Sequence, residues 1–332
     1  MTYACRIERD SISPLGDRLT TFVVTFPRVA LAEVFTHRVV STSHGYEEVA
    51  YCDRTTTPDI SKNSASSRAI PFARMVRGVI GDPYMPEWTE NQAGMQGKGM
   101  LELDSQWRRS DQTWRSAMEV MVGHAQTLHT DGIHKQDCNR LLEPWAWVTQ
   151  VMTATQWDNF FALRCHHMAF PPFRRIARMM FLARRESVPT QLDYDQWHLP
   201  FVPLAEQMAF NMAPGAIVAA RDARMVFPPL VRQSVARCAW VSYENHDKDA
   251  TQEAVDRTFD RLCNDDIAHM SPFESQATPM RPGLARERQE LRSNLNGWLQ
   301  ARKLISTECV RNYAPSDEEV ASWGITDWRT GL

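Results

Sequence analysis

The chain has 332 residues, 43% apolar and 23% charged, with a formal net charge of −3. That composition describes a folded globular protein with enough length to bury a sizeable core. It argues against reliance on non-specific nucleic-acid binding, which needs a basic surface, and no run approaches the ~20 apolar residues of a membrane span. The opening "MTYACRIERDS" lacks the apolar core of a signal peptide, so a cytoplasmic protein without a membrane partner is expected. Seven scattered cysteines, an odd number, fit neither a disulfide framework nor a zinc knuckle. They read as reduced, mostly buried thiols, and no metal site is expected.

In chain order, "RLTTFVVTF" (18–26) alternates and is rich in β-branched residues, which predicts a strand. Residues 28–38 read as a helix with Pro27 near its start. Residues 39–70 read as a long polar loop, and 81–100 as a second irregular stretch; connections this long are usually functional or disordered. Helices are expected over 105–128 and over 131–142, the second ended by Pro144. A strand is expected over 145–152. Residues 155–168 read as a helix opened by a Thr155/Asp158 capping box, and 171–185 as a helix with prolines in its first turn. Residues 186–230 read as irregular and Pro-rich, with one short helix. Three more helices are expected, over 230–244, 251–265 and roughly 285–304. There is no internal repeat and no Rossmann-type alternation. The fold class is α+β, rich in helix, and the chain reads as a single domain over 1–332.

Several stretches carry possible chemistry. His37 and Arg38 precede Asn63, Ser66, Ser67 and Arg68, and a Ser-Ser-Arg loop can cradle an oxyanion through hydroxyls, backbone N–H groups and a guanidinium fork. The plain alternative is an ordinary polar loop. Arg140 stands at a predicted helix end, where arginine is common because it suits the helix dipole. Asn159 and Arg164 lie amid Trp157, Phe160, Phe161 and Leu163, and buried polar groups need partners; a half-exposed helix would also explain them. His166 and His167 are adjacent, so they cannot share a metal as an i, i+4 pair would. The five arginines of "FRRIARMMFLARR" read as a solvated face over Phe173, Ile176, Met180 and Phe181. The stretch "HMSPFES" (269–275) would by itself be a turn.

Together these pieces resemble the flavin-dependent thymidylate synthases. Thr36-His37-Arg38-x-x-Ser41 is similar to that family's Arg-His-Arg-x-x-Ser. Asn63-Ser64-Ala65-Ser66-Ser67-Arg68 is similar to Asn-Glu-x-Ser-Gly-Arg, after an insertion over 42–61. Asn139-Arg140-Leu141-Leu142-Glu143-Pro144 resembles Ala-Arg-x-x-Leu-Pro. Asn159-Phe160 and Arg164 continue the pattern, as do Pro172-Phe173-Arg174-Arg175-Ile176-Ala177. The family's first block, with Arg-x-Ala-Arg-Val-Ser-Tyr and His-x-Ser/Thr-Pro-Phe-Glu-His, comes last here, as "VARCAWVSY" and "HMSPFES". That order resembles a circular permutation, and it predicts that Glu274 lies near the start of strand 19–26.

The resemblance implies a helix-rich fold around a central, mainly antiparallel sheet. Residues 18–70 and 131–185 would form its first block and 230–276 the displaced one, with 71–130 and 277–332 as unassigned additions. It implies one-carbon transfer from methylenetetrahydrofolate to C5 of a deoxypyrimidine monophosphate, with FAD as cofactor, NADPH as reductant and a homotetrameric assembly. The reaction of dUMP to dTMP is favoured, with a dUMP or dCMP hydroxymethylase or methylase as the alternative. No cysteine follows a proline, so the Pro-Cys nucleophile of the classical thymidylate synthases has no match. By the resemblance, Ser66, Ser67, Arg68 and Arg140 would hold the nucleotide, with the arginines on its phosphate side, and Arg164 would contact the base. His37, Arg38, Asn159, Ser242, His269, Ser271 and Glu274 would line the FAD. Glu33 stands where the family usually has Gln, losing two N–H donors and gaining acceptor capacity, which suits an amino-bearing base. Thr36, Ser64, Ser67, Thr153, Thr155 and Pro172 are further departures, most of them around the base and flavin ring. A non-catalytic nucleotide- or nucleic-acid-binding relative, with 11 tryptophans as stacking surface, is the alternative of a different class.

Overall fold

A computed structural model describes residues 2–35, 60–94, 97–209, 227–247, 251–264, 269–287, 289–305 and 315–324. Its centre is a five-stranded sheet of order β3-β4-β2-β1-β5, with β1 Ala4–Ile12, β2 Arg18–Pro27, β3 Ser61–Ser64, β4 Trp147–Ala154 and β5 Thr190–Gln191. All neighbours are antiparallel except the two-residue β1–β5 pair. The expected mainly antiparallel sheet is therefore present.

β2 is buried along nearly its whole length because both faces of the sheet are covered. Alternate residues of a strand point to opposite faces. Phe22, Val24 and Phe26 join Val148 and Met152 in one core, beneath the helices α2 (Phe72–Gly81), α3 (Asp104–Thr130) and α6 (Pro171–Glu186). Leu19 and Val23 point the other way. Leu19 packs with Leu192, Ala277, Leu295 and Trp298, and Val23 with Val151, Phe201, Cys238 and Val241. The late part of the chain thus covers the second face of a sheet built by the early part.

A buried polar chain fastens the two parts. His198 is fully buried, with Nδ1 2.9 Å from Ser11 Oγ and Nε2 2.8 Å from Thr21 Oγ1. Thr21 Oγ1 lies 2.8 Å from Thr153 Oγ1, which donates to Ser275 Oγ at 2.9 Å. Burial, with the Arg9 charge adding to it, holds the His198 imidazole well below its usual pKa, so it is neutral. This chain brings Ser275 against Thr153 of β4, one strand from β2, while Glu274 pairs with Arg302. Beyond Ser275 the chain runs not into β2 but into β6 (Ala277–Pro279), which pairs with β7 (Trp298–Gln300).

Several predicted elements differ from the structure. β1 has no counterpart among the predicted strands. β3 and helix α2 emerge from residues read as loop or left unassigned. The helix expected over 131–142 is a four-residue turn, α4 (Lys135–Cys138), followed by a 3-10 segment Asn139–Trp145 that accommodates Pro144. The helix expected over 155–168 is only α5 (Asp158–Arg164), and no side chain caps it; Thr155 Oγ1 instead accepts from Asn296 N at 3.1 Å. The helix expected over 285–304 breaks into α10 (Pro282–Glu287), a 3-10 turn, β7 and another 3-10 turn. Two positive-φ residues interrupt the stretch, Ser293 (φ +49°) and Gly297 (φ +77°), and a Cβ at Gly297 would lie 2.1 Å from Asp17 Oδ2.

Other helices follow the prediction more closely. The helix expected over 28–38 begins as a 3-10 turn Arg28–Ala30 and continues as α1 (Leu31–Phe35). α7 (Leu204–Ala209) is the one short helix described within 186–230. α8 (Pro229–Trp240) with a 3-10 turn Val241–Tyr243, then α9 (Gln252–Asn264), answer the predicted pair, and α11 (Asp317–Ser322) is additional. On α6, Phe173, Ile176 and Met180 are buried as expected, whereas Phe181 is exposed. Of the five described cysteines only Cys138 and Cys238 are buried, fewer than expected.

Candidate functional site

β3 is an edge strand, and the late block runs along its free side. At one end Ser66 N donates to Ser242 O at 3.0 Å. In the middle, Asn63 Nδ2 donates to Ser271 O at 2.8 Å. At the other end Gln300 Nε2 reaches Ser61 Oγ (3.3 Å) and Glu274 O (2.8 Å). An exposed edge is a liability that proteins cover, and here the cover carries the residues singled out in "VSY" and "HMSPFES". The two groups of candidates, more than 170 positions apart in sequence, therefore meet in space.

At the Ser66 end the chain forms a polar cradle. Arg28, only 8% exposed in its side chain, donates from Nε to Glu143 Oε1 (3.0 Å), from Nη1 to Ala65 O (3.1 Å) and from Nη2 to Ser67 Oγ (3.4 Å). Ser67 is fully buried, and its hydroxyl donates to the same Glu143 oxygen at 2.5 Å. Arg140, 54% exposed, adds a third donor to that oxygen at 2.9 Å. Asn139 Nδ2 donates to Ser67 O and Ile70 O, at 2.7 and 3.0 Å, pinning the loop. Ser66 is half-buried and Arg68 exposed. Nearby, burial pushes the Glu244 carboxyl up from its ordinary value, while the Arg74 and Arg28 charges pull it back.

At the α5 end the arrangement differs. Arg164 Nη1 donates to Glu33 Oε2 on α1 at 3.0 Å, and Nη2 to Glu33 O at 3.2 Å. The guanidinium lies over the Phe173 ring, 5.4 Å from its centroid. Arg164 Nε and Asn159 Nδ2 are buried and have no hydrogen-bond partner among the described residues. Unpaired buried donors are costly, and a ligand rich in acceptors would satisfy them. His269 and Ser271 are exposed, and Ser271 lies at the β3 edge. Glu274 is partly buried and paired with Arg302.

The fold thus joins Ser66 to Ser242, and Ser67 to Arg140 through Glu143. It also joins Arg164 to Glu33, and Ser271 to the signature residue Asn63. His37 and Arg38, with the 42–59 part of the insertion, lie outside the described residues. Arg28, Asn139, Glu143 and Arg302 were not singled out by the sequence reading. The available signal for Glu143 was a charged residue directly before Pro144, where the similar motif has leucine.

A family model for the thymidylate synthase complementing proteins matches residues 7–190. The chain belongs to that family. It has the family's fold, helix-rich around a mainly antiparallel sheet, and the match spans both β3 and α5. No curated protein matches the chain significantly. Two solved structures of the UMP/dUMP methylase PolB from Streptomyces cacaoi are similar at 15% identity. The one bound with 5-Br dUMP aligns over 51% of this chain and 66% of its own, with a TM-score of 0.38. The one bound with 5-Br UMP aligns over 55% and 89%, with a TM-score of 0.42. The first alignment spans just under two thirds of that methylase chain. The donors at α5, Asn159 Nδ2 and Arg164 Nε, are buried and unspent, and so are open to an acceptor-bearing ligand.

Proposed function

We propose that the protein transfers a one-carbon unit from methylenetetrahydrofolate to C5 of a deoxypyrimidine monophosphate, with dUMP as substrate and dTMP as product. The observation that supports this reading is the meeting of Asn63 and Ser66 with Ser271 and Ser242 along β3, which we read as the family's separated motifs brought to one edge. We read residues 230–276 as the family's first block, displaced in the chain order, within a single domain.

In this reading Ser66, Arg68 and Arg140 face the phosphate, and the buried Ser67 sets the loop's shape. Arg164 contacts the base, oriented by Glu33. A guanidinium fixed on both sides, by a carboxylate and by an aromatic face, spends little entropy on binding. Asn159 and Arg164 would hold FAD or base acceptors, with His269, Ser271 and Ser242 along the same wall and Glu274 oriented by Arg302. FAD, when bound and reduced by NADPH, would supply the hydride and one-carbon relay chemistry. The chain's own residues bind and orient the reactants and need no nucleophile of their own. A homotetramer would complete the flavin site.

Incubation with methylenetetrahydrofolate, NADPH, FAD and each pyrimidine nucleotide, read by mass spectrometry, tests this. A gain of ~14 Da on dUMP is expected, and ~30 Da would mean hydroxymethyl transfer. Turnover of dCMP instead would assign Glu33 to an exocyclic amine. No product from any pyrimidine nucleotide, with no flavin spectrum after added FAD, would overturn the enzyme reading. Salt-dependent nucleic-acid binding without turnover would then favour a binding relative.

A further inference from the structure

Three departures from the family's motifs fall in one place. Ser67 stands for glycine, Asn139 for alanine and Glu143 for leucine. In the fold they form one network with Arg28, in which a single carboxylate oxygen accepts from Arg28, Ser67 and Arg140. A leucine at 143 would leave the buried Arg28 without its counter-charge, and a glycine at 67 would remove the hydroxyl.

The three donors are not equivalent. Arg28 is nearly enclosed, with all three of its contacts to the chain itself, so it cannot turn outward. Ser67 is fully buried. Arg140 is half-exposed and, among the described residues, tied only by an i, i+3 pair of the weak, solvent-screened kind. An anion arriving at Ser66 and Arg68 can take Arg140 from Glu143 while Arg28 keeps the carboxylate neutralised.

We propose that Glu143 is a positioning residue that parks Arg140 in the empty cradle and releases it to an entering phosphate. This rests on the nucleotide reading of the site. The pair with Glu143 must be given up before Arg140 can hold a dianion, so the cradle binds phosphate more weakly than its arginines alone would allow. Discrimination then shifts toward ligands that are also held at the base end.

The test compares the full-length protein with Glu143→Gln, whose amide oxygen still accepts from Arg28 and Ser67. Affinities for inorganic phosphate, dUMP and deoxyuridine are measured by calorimetry. Inorganic phosphate and dUMP should bind about two- to fivefold tighter to the variant. Deoxyuridine should be unchanged, and the gain should vanish in the double variant with Arg140→Ala. Equal or weaker phosphate binding by Glu143→Gln overturns the proposal, as does a matching change for deoxyuridine. If Glu143→Gln does not fold, Arg140→Ala decides: phosphate affinity should fall about tenfold, and no fall overturns the proposal. If phosphate responds as stated but no pyrimidine nucleotide is turned over, the transferase reading fails and the parked arginine stands. Turnover of dUMP with an unmoved phosphate affinity does the reverse.

Discussion

The two ends of the candidate site are built on opposite principles. At the cradle, Arg28, Ser67 and Glu143 spend their donors and acceptors on one another, and the loop they shape is fixed before any ligand arrives. At α5, Asn159 Nδ2 and Arg164 Nε are buried and unspent. At the cradle the donors are spent within the fold, although Asn139 Oδ1 is left unmet, whereas the donors at α5 are open to a ligand. The difference separates residues whose loss unfolds the protein from residues whose loss only empties it.

The largest effect should come from the saturated end. Arg28→Met leaves the Glu143 carboxylate and Ala65 O without their buried partner. Breaking a buried pair from one side costs about 3–5 kcal/mol. Urea denaturation should show the loss as a lower midpoint with an unchanged slope. A cost below about 1 kcal/mol would mean the cradle is not a folding element.

The next effect belongs to the fastening between the late block and the sheet. His198 is buried and neutral, with its folded pKa depressed below the unfolded value of about 6.5. The folded state therefore binds fewer protons than the unfolded state once the pH drops below that value. The stability contributed is full above about pH 6.5 and is lost as pH falls toward the folded pKa, at up to about 1.4 kcal/mol per unit. Denaturation midpoints at pH 7.5 and 5.0 should diverge more in the natural protein than in His198→Gln. Equal divergence would remove His198 from the acid response.

How much of this was legible follows from the range of the interactions. β2, α6 and the Ser66–Arg68 loop could be read because alternation, helical spacing and turn chemistry are local. The Asn63–Ser271 meeting could be reached only through a resemblance, since no local pattern links residues 208 positions apart. β1 hid because its burial pattern is irregular, its one-residue shift at Ile7/Arg9 spoiling the alternation. The stretch 285–304 misled because Leu291, Leu295, Trp298 and Leu299 keep helical spacing while Ser293 and Gly297, both at positive φ, break the backbone between them. Arg28 and Glu143 were invisible because a charged residue reads as surface until its counter-charge, 115 positions away, is placed beside it.

One substitution made at both ends sharpens the comparison most. Asn139 and Asn159 are both asparagines at the margin of a short helix, and each carries a buried Nδ2. Asn139 Nδ2 makes two hydrogen bonds, to Ser67 O and Ile70 O. Asn139→Leu should therefore cost roughly 2 kcal/mol, at about 1 kcal/mol per lost bond. Asn159 Nδ2 makes none, so Asn159→Leu removes only an unmet donor and should change stability by less than about 0.5 kcal/mol, or raise it. The cost at position 159 should appear in ligand uptake instead: added FAD, followed by flavin fluorescence, should bind about tenfold more weakly to Asn159→Leu. If the two variants lose equal stability and bind FAD alike, Asn159 is an ordinary structural residue. The α5 end would then lose its claim to a ligand.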